Sequence, residues 1–268
     1  MVRPVPTAEI RGLRIHYDLM GEGEPVVFLN GVMMTTRSWV LQTSLFRHRY
    51  RCLLHDFRGQ LLSDKPDEPW TLEDHAADLR ALLDHLEIER CHLVGTSYGG
   101  EVGLIFAYTW PDRVESLSVI SSVSEVGPEL DRAVATWAET ALEAPGKLYR
   151  VALPSNFSPR FIAANPQIIE QGEERLAACP AEFFPAFARL VDAFRGLDIT
   201  ADLERIRCPT LVMVGEQDAL KPPEYSRLIA ERIPESELLL VPDAGHAVII
   251  EKPQEVNSAI LGFLDKHR

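Results

Sequence analysis

Short apolar runs alternate with amphipathic stretches along most of the chain. Each run is four or five residues long and is bounded by turns rich in polar residues, glycine or proline, a pattern that predicts β-strands. The runs cover residues 15–18, 25–29, 50–54, 92–95, 117–120, 210–214 and 237–241. Helical patterns follow at residues 71–86, 101–108, 223–232 and 253–266. This alternation predicts an α/β fold with a doubly wound, mostly parallel sheet between two layers of helices.

The segment from residue 124 to residue 207 interrupts the alternation. It has helical patterns and no clear strand, so it must lie outside the sheet, above the carboxyl ends of the strands. We predict that residues 124–207 form a helical cap inserted into a core made of residues 1–123 and 208–268. The cap is rich in aromatic residues, most of which we expect to pack against the core: Trp137, Tyr149, Phe157, Phe161, Phe183, Phe184, Phe187 and Phe194.

Composition excludes several classes of partner. A net charge of −13 provides no basic surface for nucleic acid or for an anionic membrane. No run reaches the ~18 apolar residues that a membrane span needs, and Met1–Pro6 lacks the apolar core of a signal peptide. We therefore predict a cytoplasmic protein whose partner is a small molecule. Its oligomeric state is not predicted.

Four cysteines are far apart in the chain, with no C-x-x-C pair, at Cys52, Cys91, Cys179 and Cys208. This spacing indicates neither a disulfide scaffold nor a metal site. We predict no metal and no cofactor.

Ser97 lies in the segment Gly95-Thr96-Ser97-Tyr98-Gly99-Gly100, between the apolar run Cys91–Val94 and the helical pattern Glu101–Tyr108. A strand, a G-x-S-x-G turn and a helix in this order predict a nucleophile elbow. In such a turn the serine holds a strained backbone conformation that exposes its hydroxyl.

A serine hydroxyl needs a base that accepts its proton, and the base needs a partner that fixes its tautomer. His246 is the best candidate base because it lies in a loop after the last strand pattern, whereas the other histidines lie in strands, helices or polar segments. Asp218 closely follows the run at residues 210–214 and is the candidate partner. Asp218 could instead cap the next helix, and Glu216 is close enough to replace it.

Five segments in this order resemble the α/β-hydrolase superfamily, and within it the group of enol-lactonases, carboxylesterases and C–C hydrolases. They are Leu29-Asn30-Gly31, His55-Asp56-Phe57-Arg58-Gly59 with Ser63-Asp64-Lys65-Pro66, the Ser97 segment, Pro209-Thr210-Leu211-Val212 leading to Gly215-Glu216-Gln217-Asp218, and Ala244-Gly245-His246. The resemblance implies Ser97 as nucleophile, His246 as general base and then acid, and Asp218 as the orienting acid. Some members of this fold carry the acid one strand earlier, which here corresponds to Glu125.

The resemblance also implies an oxyanion hole formed by the backbone N–H groups of Val32 and Tyr98. Two segments depart from the usual pattern. Asn30-Gly31 stands where such families usually carry His-Gly, and Arg58-Gly59-Gln60-Leu61 stands where they usually carry Arg-Gly-His-Gly. Backbone donors do not depend on side-chain identity, so we expect the hole to be retained.

We expect the substrate pocket to be apolar, with Met33, Met34, Trp137 and Phe157 as candidate lining residues. Arg37, Arg160 and Arg189 are the basic residues that could bind a carboxylate there. Glu101 lies one helical turn beyond Ser97, where an acid could be buried. We expect it to pair with a base, for which Arg58 is one candidate.

These features predict a serine hydrolase (EC 3.1.1) that cleaves a small to medium, mainly uncharged carboxylic ester or lactone through an acyl-enzyme. C–C bond hydrolysis, perhydrolysis and thioester cleavage use the same triad and stay open. A receptor derived from a hydrolase is the alternative from another class, since such a protein can keep all three residues. An interaction protein on a hydrolase scaffold that has lost activity is a weaker alternative.

Overall fold

The computed structural model describes residues 6–267. Most of the segment from which we expect no signal peptide, Met1–Val5, lies outside these residues. The strands are β1 (Thr7–Ile10), β2 (Leu13–Met20), β3 (Pro25–Leu29), β4 (Arg51–His55), β5 (Cys91–Thr96), β6 (Val114–Ile120), β7 (Thr210–Gly215) and β8 (Ser236–Val241). The α-helices are α1 (Val40–Phe46), α2 (Leu72–His85), α3 (Tyr98–Thr109), α4 (Pro128–Glu143), α5 (Leu148–Asn156), α6 (Pro159–Ala164), α7 (Pro166–Ala177), α8 (Phe183–Arg195), α9 (Pro223–Arg232), α10 (Val248–Glu251) and α11 (Pro253–Lys266).

The strands form one sheet in the order β1-β2-β4-β3-β5-β6-β7-β8. β1 and β2 run antiparallel to their neighbours, and all other adjacent strands are parallel. The predicted α/β fold with a mostly parallel sheet is therefore confirmed. β1 was not predicted from the sequence, because it is a short edge strand in which only Ala8 and Ile10 are buried.

The central strands are apolar on both faces because helices cover both sides of the sheet. Successive residues of β3 show this clearly. Val27 and Leu29 pack into one core cluster with α2 and α3, while Val26 and Phe28 pack into a second cluster with α11. Side chains that alternate along a strand thus serve two separate hydrophobic cores.

Helices α4 to α8 all lie between β6 and β7, in the segment where sequence patterning predicts helices and no strand. The only strand-like pairing there is an isolated bridge between Glu125 and Asp198. α4 packs against α8, which contributes an apolar face that includes Phe187, Val191 and Phe194.

Parallel strands end at the same edge of the sheet, so the loops that follow them meet there. β5, β7 and β8 end at Thr96, Gly215 and Val241. The sheet topology therefore brings together segments that are more than a hundred residues apart.

Among residues 6–267, no helix is long and apolar enough to cross a membrane.

Candidate active site

Ser97 occupies a sharp turn between β5 and α3. Its backbone has φ 52° and ψ −123°, a conformation that L-residues rarely adopt, and its N–H donates to the carbonyl of Ile120 at 2.8 Å. Gly95 and Gly99 allow the turn, since a Cβ at Gly95 would collide with the Gly99 backbone and one at Gly99 with the Leu29 carbonyl. The turn has the geometry of a nucleophile elbow.

Asp218 lies in a tight turn after β7 and is 3% exposed. Its Oδ1 accepts the backbone N–H groups of Leu220 at 3.0 Å and Lys221 at 2.8 Å. Its Oδ2 lies 2.8 Å from Nδ1 of His246. The carboxylate therefore stabilises its own turn with one oxygen and orients the imidazole with the other.

His246 lies in the loop between β8 and α10, and its Nε2 is 3.0 Å from Oγ of Ser97. The loop is held from two sides. The N–H of Ala247 donates to the carbonyl of Asn156 at 2.7 Å, and the N–H of Gly245 donates to Glu251 at 3.1 Å. The structure thus brings Ser97, His246 and Asp218 into one hydrogen-bonded chain.

The two alternative acids lie elsewhere. Glu216 is exposed to solvent. Glu125 is exposed too and accepts a hydrogen bond from Thr200 at 3.0 Å.

The backbone N–H groups of Val32 and Tyr98 belong to residues on the same cavity as Ser97. Neither N–H has a protein acceptor within residues 6–267. Tyr98 is the first residue of α3, where backbone N–H groups lack intrahelical partners and the helix dipole favours negative charge. These two donors are suited to bind a developing oxyanion.

A buried amide network supports the loop that carries Val32. Gln60 donates from Nε2 to the carbonyl of Gly31 at 2.9 Å and accepts at Oε1 from Nδ2 of Asn30 at 3.0 Å. Nε1 of Trp39 donates to Oδ1 of Asn30 at 2.9 Å. Asn30, Trp39 and Gln60 are fully buried, so the loop rests on fixed side chains.

Ser97 opens onto a cavity that is partly open to solvent and holds about 310 Å³ of empty space, solvent-exposed space included. Apart from Ser97, its lining consists of Val32, Tyr98, Val134, Trp137, Val191, Phe194, Leu220 and Lys221. The lining is mostly apolar, and four of these residues come from α4 and α8.

Of the four expected pocket residues, Trp137 lines this cavity and the other three are not among its lining residues. Met33 and Met34 pack against the two core clusters, and Sδ of Met34 accepts the N–H of Gly31 at 3.2 Å. Phe157 stacks on Phe161 with ring centroids 5.3 Å apart. Side-chain type alone did not distinguish residues that face the cavity from residues that face the core.

None of the three arginines that could bind a carboxylate lines the cavity. Arg37 is exposed, Arg160 lies 3.6 Å from Asp243, and Arg189 lies 3.4 Å from Asp67.

Lys221 is the residue that sequence reasoning missed. Its side chain is 3% exposed, and its Nζ lies 3.2 Å from Oγ of Ser97 and 2.9 Å from Oε1 of Glu101. The ammonium also lies over the ring of Phe194, 4.6 Å from its centroid. A signal was available in the sequence, because a lysine follows three residues after Asp218 while an acid follows one turn after Ser97.

Arg58, the candidate partner named for Glu101, is therefore not the residue that pairs with it. Arg58 forms a bidentate ion pair with Asp78 at 2.7 Å, whereas Glu101 pairs with Lys221. Burial raises the pKa of Glu101, and the Lys221 ammonium opposes this shift. The prediction that Glu101 is buried and paired with a base was correct.

Tyr98 also faces the cavity, and its hydroxyl lies 2.8 Å from Nε2 of His75. Burial raises the pKa of Tyr98 and lowers the pKa of His75, so both groups are neutral near pH 7. No group of three or more His, Cys, Asp or Glu residues suited to hold a metal ion occurs in the part of the chain that the structure describes.

Comparison with known proteins identifies the class. Residues 24–253 match the model of the alpha/beta hydrolase fold family. The chain belongs to this family, and it is a hydrolase.

Two relatives illustrate the range of activities in this family. The chain is 31% identical over 254 residues to a protein named putative carbamate hydrolase RutD from Caulobacter sp. (strain K31), a match that covers 93% of this chain and 94% of the relative. It is 28% identical to 3-oxoadipate enol-lactonase 2 from Acinetobacter baylyi, with 95% and 94% covered.

Two solved structures have the same fold as this chain. An α/β-hydrolase enzyme, MGS-M2, from a Medee basin deep-sea metagenome library superposes with a TM-score of 0.93 at 29% identity, with 97% of each chain covered. The enol-lactonase from Burkholderia xenovorans LB400 superposes with a TM-score of 0.89 at 26% identity, with 97% of this chain and 100% of that chain covered.

Proposed function

We propose that this hydrolase cleaves a small to medium, mainly uncharged carboxylic ester or lactone through an acyl-enzyme on Ser97. One observation carries the proposal: His246 bridges Ser97 and Asp218 at 3.0 and 2.8 Å beside a mostly apolar cavity. This is the arrangement that activates a serine for acyl transfer.

In the acylation step, Oγ of Ser97 attacks the carbonyl carbon while its proton passes to Nε2 of His246. Asp218 holds Nδ1–H of the imidazole and stabilises the imidazolium that forms. The carbonyl oxygen becomes an oxyanion, which accepts hydrogen bonds from the N–H groups of Val32 and Tyr98. His246 then protonates the leaving alkoxide, and an ester remains on Ser97.

In the deacylation step, water attacks this ester while one of its protons passes to His246. The second tetrahedral intermediate collapses, the C–Oγ bond breaks, and Oγ regains its proton from the imidazolium. The acid product leaves and the enzyme is restored. Neither step requires a metal or a cofactor.

The character of the cavity supports an uncharged substrate. Its walls are mainly aliphatic and aromatic side chains from α4, α8 and the loops around Ser97. The one basic residue in its lining, Lys221, is paired with Glu101, so the pair carries no net charge.

We also propose that residues 124–207 act as a substrate cap on a core of residues 1–123 and 208–268. Val134, Trp137, Val191 and Phe194 support this division, because these four cap residues line the cavity beside the nucleophile. Apolar surface that the cap removes from water contributes ~25 cal/mol per Å² to substrate binding.

A substrate panel tests the proposed function. p-Nitrophenyl esters from acetate to laurate, simple lactones, an aryl carbamate and a vinylogous 1,5-diketone are assayed with wild-type protein and with Ser97→Ala. We expect many turnovers on short esters or lactones, and no turnover by the variant. Preferential cleavage of the diketone would favour a C–C hydrolase, and preferential cleavage of the carbamate would favour the activity in the name of the Caulobacter relative.

Two further observations would redirect the proposal. A single stoichiometric burst of p-nitrophenol without turnover would favour a receptor. Peracid formation from acetate and hydrogen peroxide at a rate above ester hydrolysis would favour a perhydrolase.

A further inference from the structure

Two side chains, not one, contact Oγ of Ser97. Oγ of Ser97 carries one proton and can accept two hydrogen bonds. Its O–H is directed to Nε2 of His246 at 3.0 Å, and Nζ of Lys221 lies 3.2 Å away as a donor to Oγ. An ammonium has three protons to donate and no lone pair, so it can only be the donor in this contact.

Lys221 is held in place by charge and by packing. Oε1 of Glu101 lies 2.9 Å from Nζ and also accepts the N–H of Val123 at 2.9 Å. The ring of Phe194 covers another side of the ammonium. The three neighbours of Nζ are therefore the nucleophile, a carboxylate and an aromatic face.

A buried ion pair of this kind contributes little to stability. Lys221 and Glu101 have side-chain exposures of 3% and 0%, so both charges lose most of their hydration. Well-packed apolar residues in place of such a pair are often neutral or stabilising. Oε2 of Glu101 is buried with no hydrogen-bond partner in the described residues, which adds a further cost. A role in catalysis accounts for this pair better than a role in folding.

We propose that Lys221 is a further catalytic residue, whose ammonium stabilises negative charge on Oγ of Ser97 during deacylation, and that Glu101 is its positioning residue. The proposal rests on the proposed serine-hydrolase function. In the acyl-enzyme, Oγ is the ester oxygen. The N–H of Lys221 withdraws electron density from it, which makes the carbonyl carbon more electrophilic, and then stabilises Oγ as the C–Oγ bond breaks.

The proton balance does not involve Lys221. Water supplies the proton that His246 accepts, and His246 returns a proton to Oγ as the acid product leaves. The Lys221 ammonium keeps all three protons throughout. Its contribution is electrostatic, through a hydrogen bond that strengthens as charge develops on Oγ.

The Lys221 hydrogen bond should accelerate deacylation more than acylation, for a physical reason. Before acylation, the Lys221 hydrogen bond already stabilises the free hydroxyl, so part of its effect is present in the ground state. The ester oxygen of the acyl-enzyme is a weaker acceptor, so the hydrogen bond there is weak until charge builds on Oγ. Only interactions that strengthen from ground state to transition state increase the rate.

The decisive experiment separates the two steps by stopped flow with p-nitrophenyl acetate. The burst rate reports acylation and the steady state reports deacylation. In the double variant Glu101→Gln, Lys221→Met, which leaves no unpaired charge, we expect deacylation to fall about tenfold to a hundredfold. We expect acylation to change less than about threefold, and the burst to approach one p-nitrophenol per protein.

A matched control excludes general effects of losing a buried ion pair, and a second variant is used if the double variant does not fold. Arg58→Met, Asp78→Asn removes another largely buried ion pair that does not contact Ser97, and both rates should then stay within about threefold of wild type. Lys221→Met alone is the second variant, since a buried carboxyl that loses its ammonium can take up a proton. It should show the same selective loss of deacylation if the double variant does not fold.

The outcomes separate this inference from the proposed function. A wild-type protein that neither turns over esters nor labels at Ser97 with a fluorophosphonate overturns the proposed function itself. If wild type labels and turns over but the variants keep wild-type deacylation, the role of Lys221 is wrong and the serine mechanism stands. Equal losses in both steps would also overturn it, because they indicate a displaced nucleophile.

Discussion

The side-chain amide of Asn30 donates to Oε1 of Gln60 across 3.0 Å. These are the two positions where the sequence departs from the histidines that similar families usually carry. The departures thus form one contact, although they lie in separate motifs. Nε2 of Gln60 then donates to the carbonyl of Gly31, directly before Val32. The amide pair supports the loop proposed to hold the oxyanion.

Gln60→Leu should lower kcat about tenfold with little change in KM. The substitution removes the Gln60 donor from the carbonyl of Gly31, which then keeps only the N–H of Met34, so the N–H of Val32 is held less firmly. It also leaves the buried N–H of Phe57 without its acceptor, Oε1 of Gln60. Unfolding stability should fall by about 1–3 kcal/mol. Steady-state kinetics and thermal unfolding measure the two effects.

Gln42→Leu is the matched control for that variant. Gln42 is equally buried and donates to the carbonyl of Ile249 at 3.0 Å, but it does not contact the Val32 loop. It should reduce stability and leave kcat unchanged. An equal loss of kcat in both variants would show that general destabilisation, not the loop, is responsible.

Ser97→Ala should lower turnover by several orders of magnitude and remove fluorophosphonate labelling, because it removes the Oγ that His246 activates to form the acyl-enzyme. Ser124→Ala serves as control, since Ser124 is a buried serine that contacts Thr200 at 2.8 Å. A Ser97→Ala variant that kept more than about a tenth of wild-type esterase activity would disprove the assignment of the nucleophile.

Asp218→Asn should reduce kcat by about 10⁴-fold. The asparagine can keep the two backbone hydrogen bonds that Oδ1 accepts, but its amide faces Nδ1 of His246 as a donor and stabilises the wrong tautomer. Glu125→Gln and Glu216→Gln should change the rate little, because both acids are exposed and the imidazole of His246 is hydrogen-bonded to Asp218 instead. If Glu125→Gln or Glu216→Gln lowered kcat more than Asp218→Asn, that glutamate would be the orienting acid.

Trp137→Leu should shift the preference for acyl chain length. The smaller side chain enlarges the cavity beside Ser97, so the kcat/KM ratio of octanoate to acetate esters should rise by about tenfold. Phe157→Leu is the control, because Phe157 is partly buried against Phe161 and is not among the cavity-lining residues. An unchanged ratio for Trp137→Leu, or an equal shift for Phe157→Leu, would contradict this assignment of the pocket.

Wild-type protein should prefer neutral esters over esters that carry an ω-carboxylate. The Lys221 charge is balanced by Glu101, so a carboxylate in the cavity would lose hydration without gaining an unpaired cation. The measurement is kcat/KM for matched pairs of esters. A tenfold preference for the carboxylates, about 1.4 kcal/mol, would instead favour an anionic lactone or a dienoate as substrate.

The elements and their order could be predicted from local patterns. Alternating burial and helical periodicity depend on neighbours a few residues apart, so α9 and α11 were predicted with their observed ends, Pro223–Arg232 and Pro253–Lys266. The elbow at Ser97 is local in the same sense, because the glycines that permit its strained backbone lie within three residues of it. β1 was missed since a short edge strand has few buried positions.

Contacts between distant segments were decided only by the tertiary structure. Lys221 and Glu101 are 120 residues apart in the chain. Each lies close in sequence to a residue of the Ser97–His246–Asp218 chain, but only the packing of the two segments places the ammonium of Lys221 between Glu101 and Oγ of Ser97. Whether an aromatic residue faces the cavity, as Trp137 does, or another ring, as Phe157 does, depends on how helices α4 to α8 pack together. Sequence periodicity specifies which face of an element is buried, whereas the partner of each buried side chain depends on the packing of all the elements together.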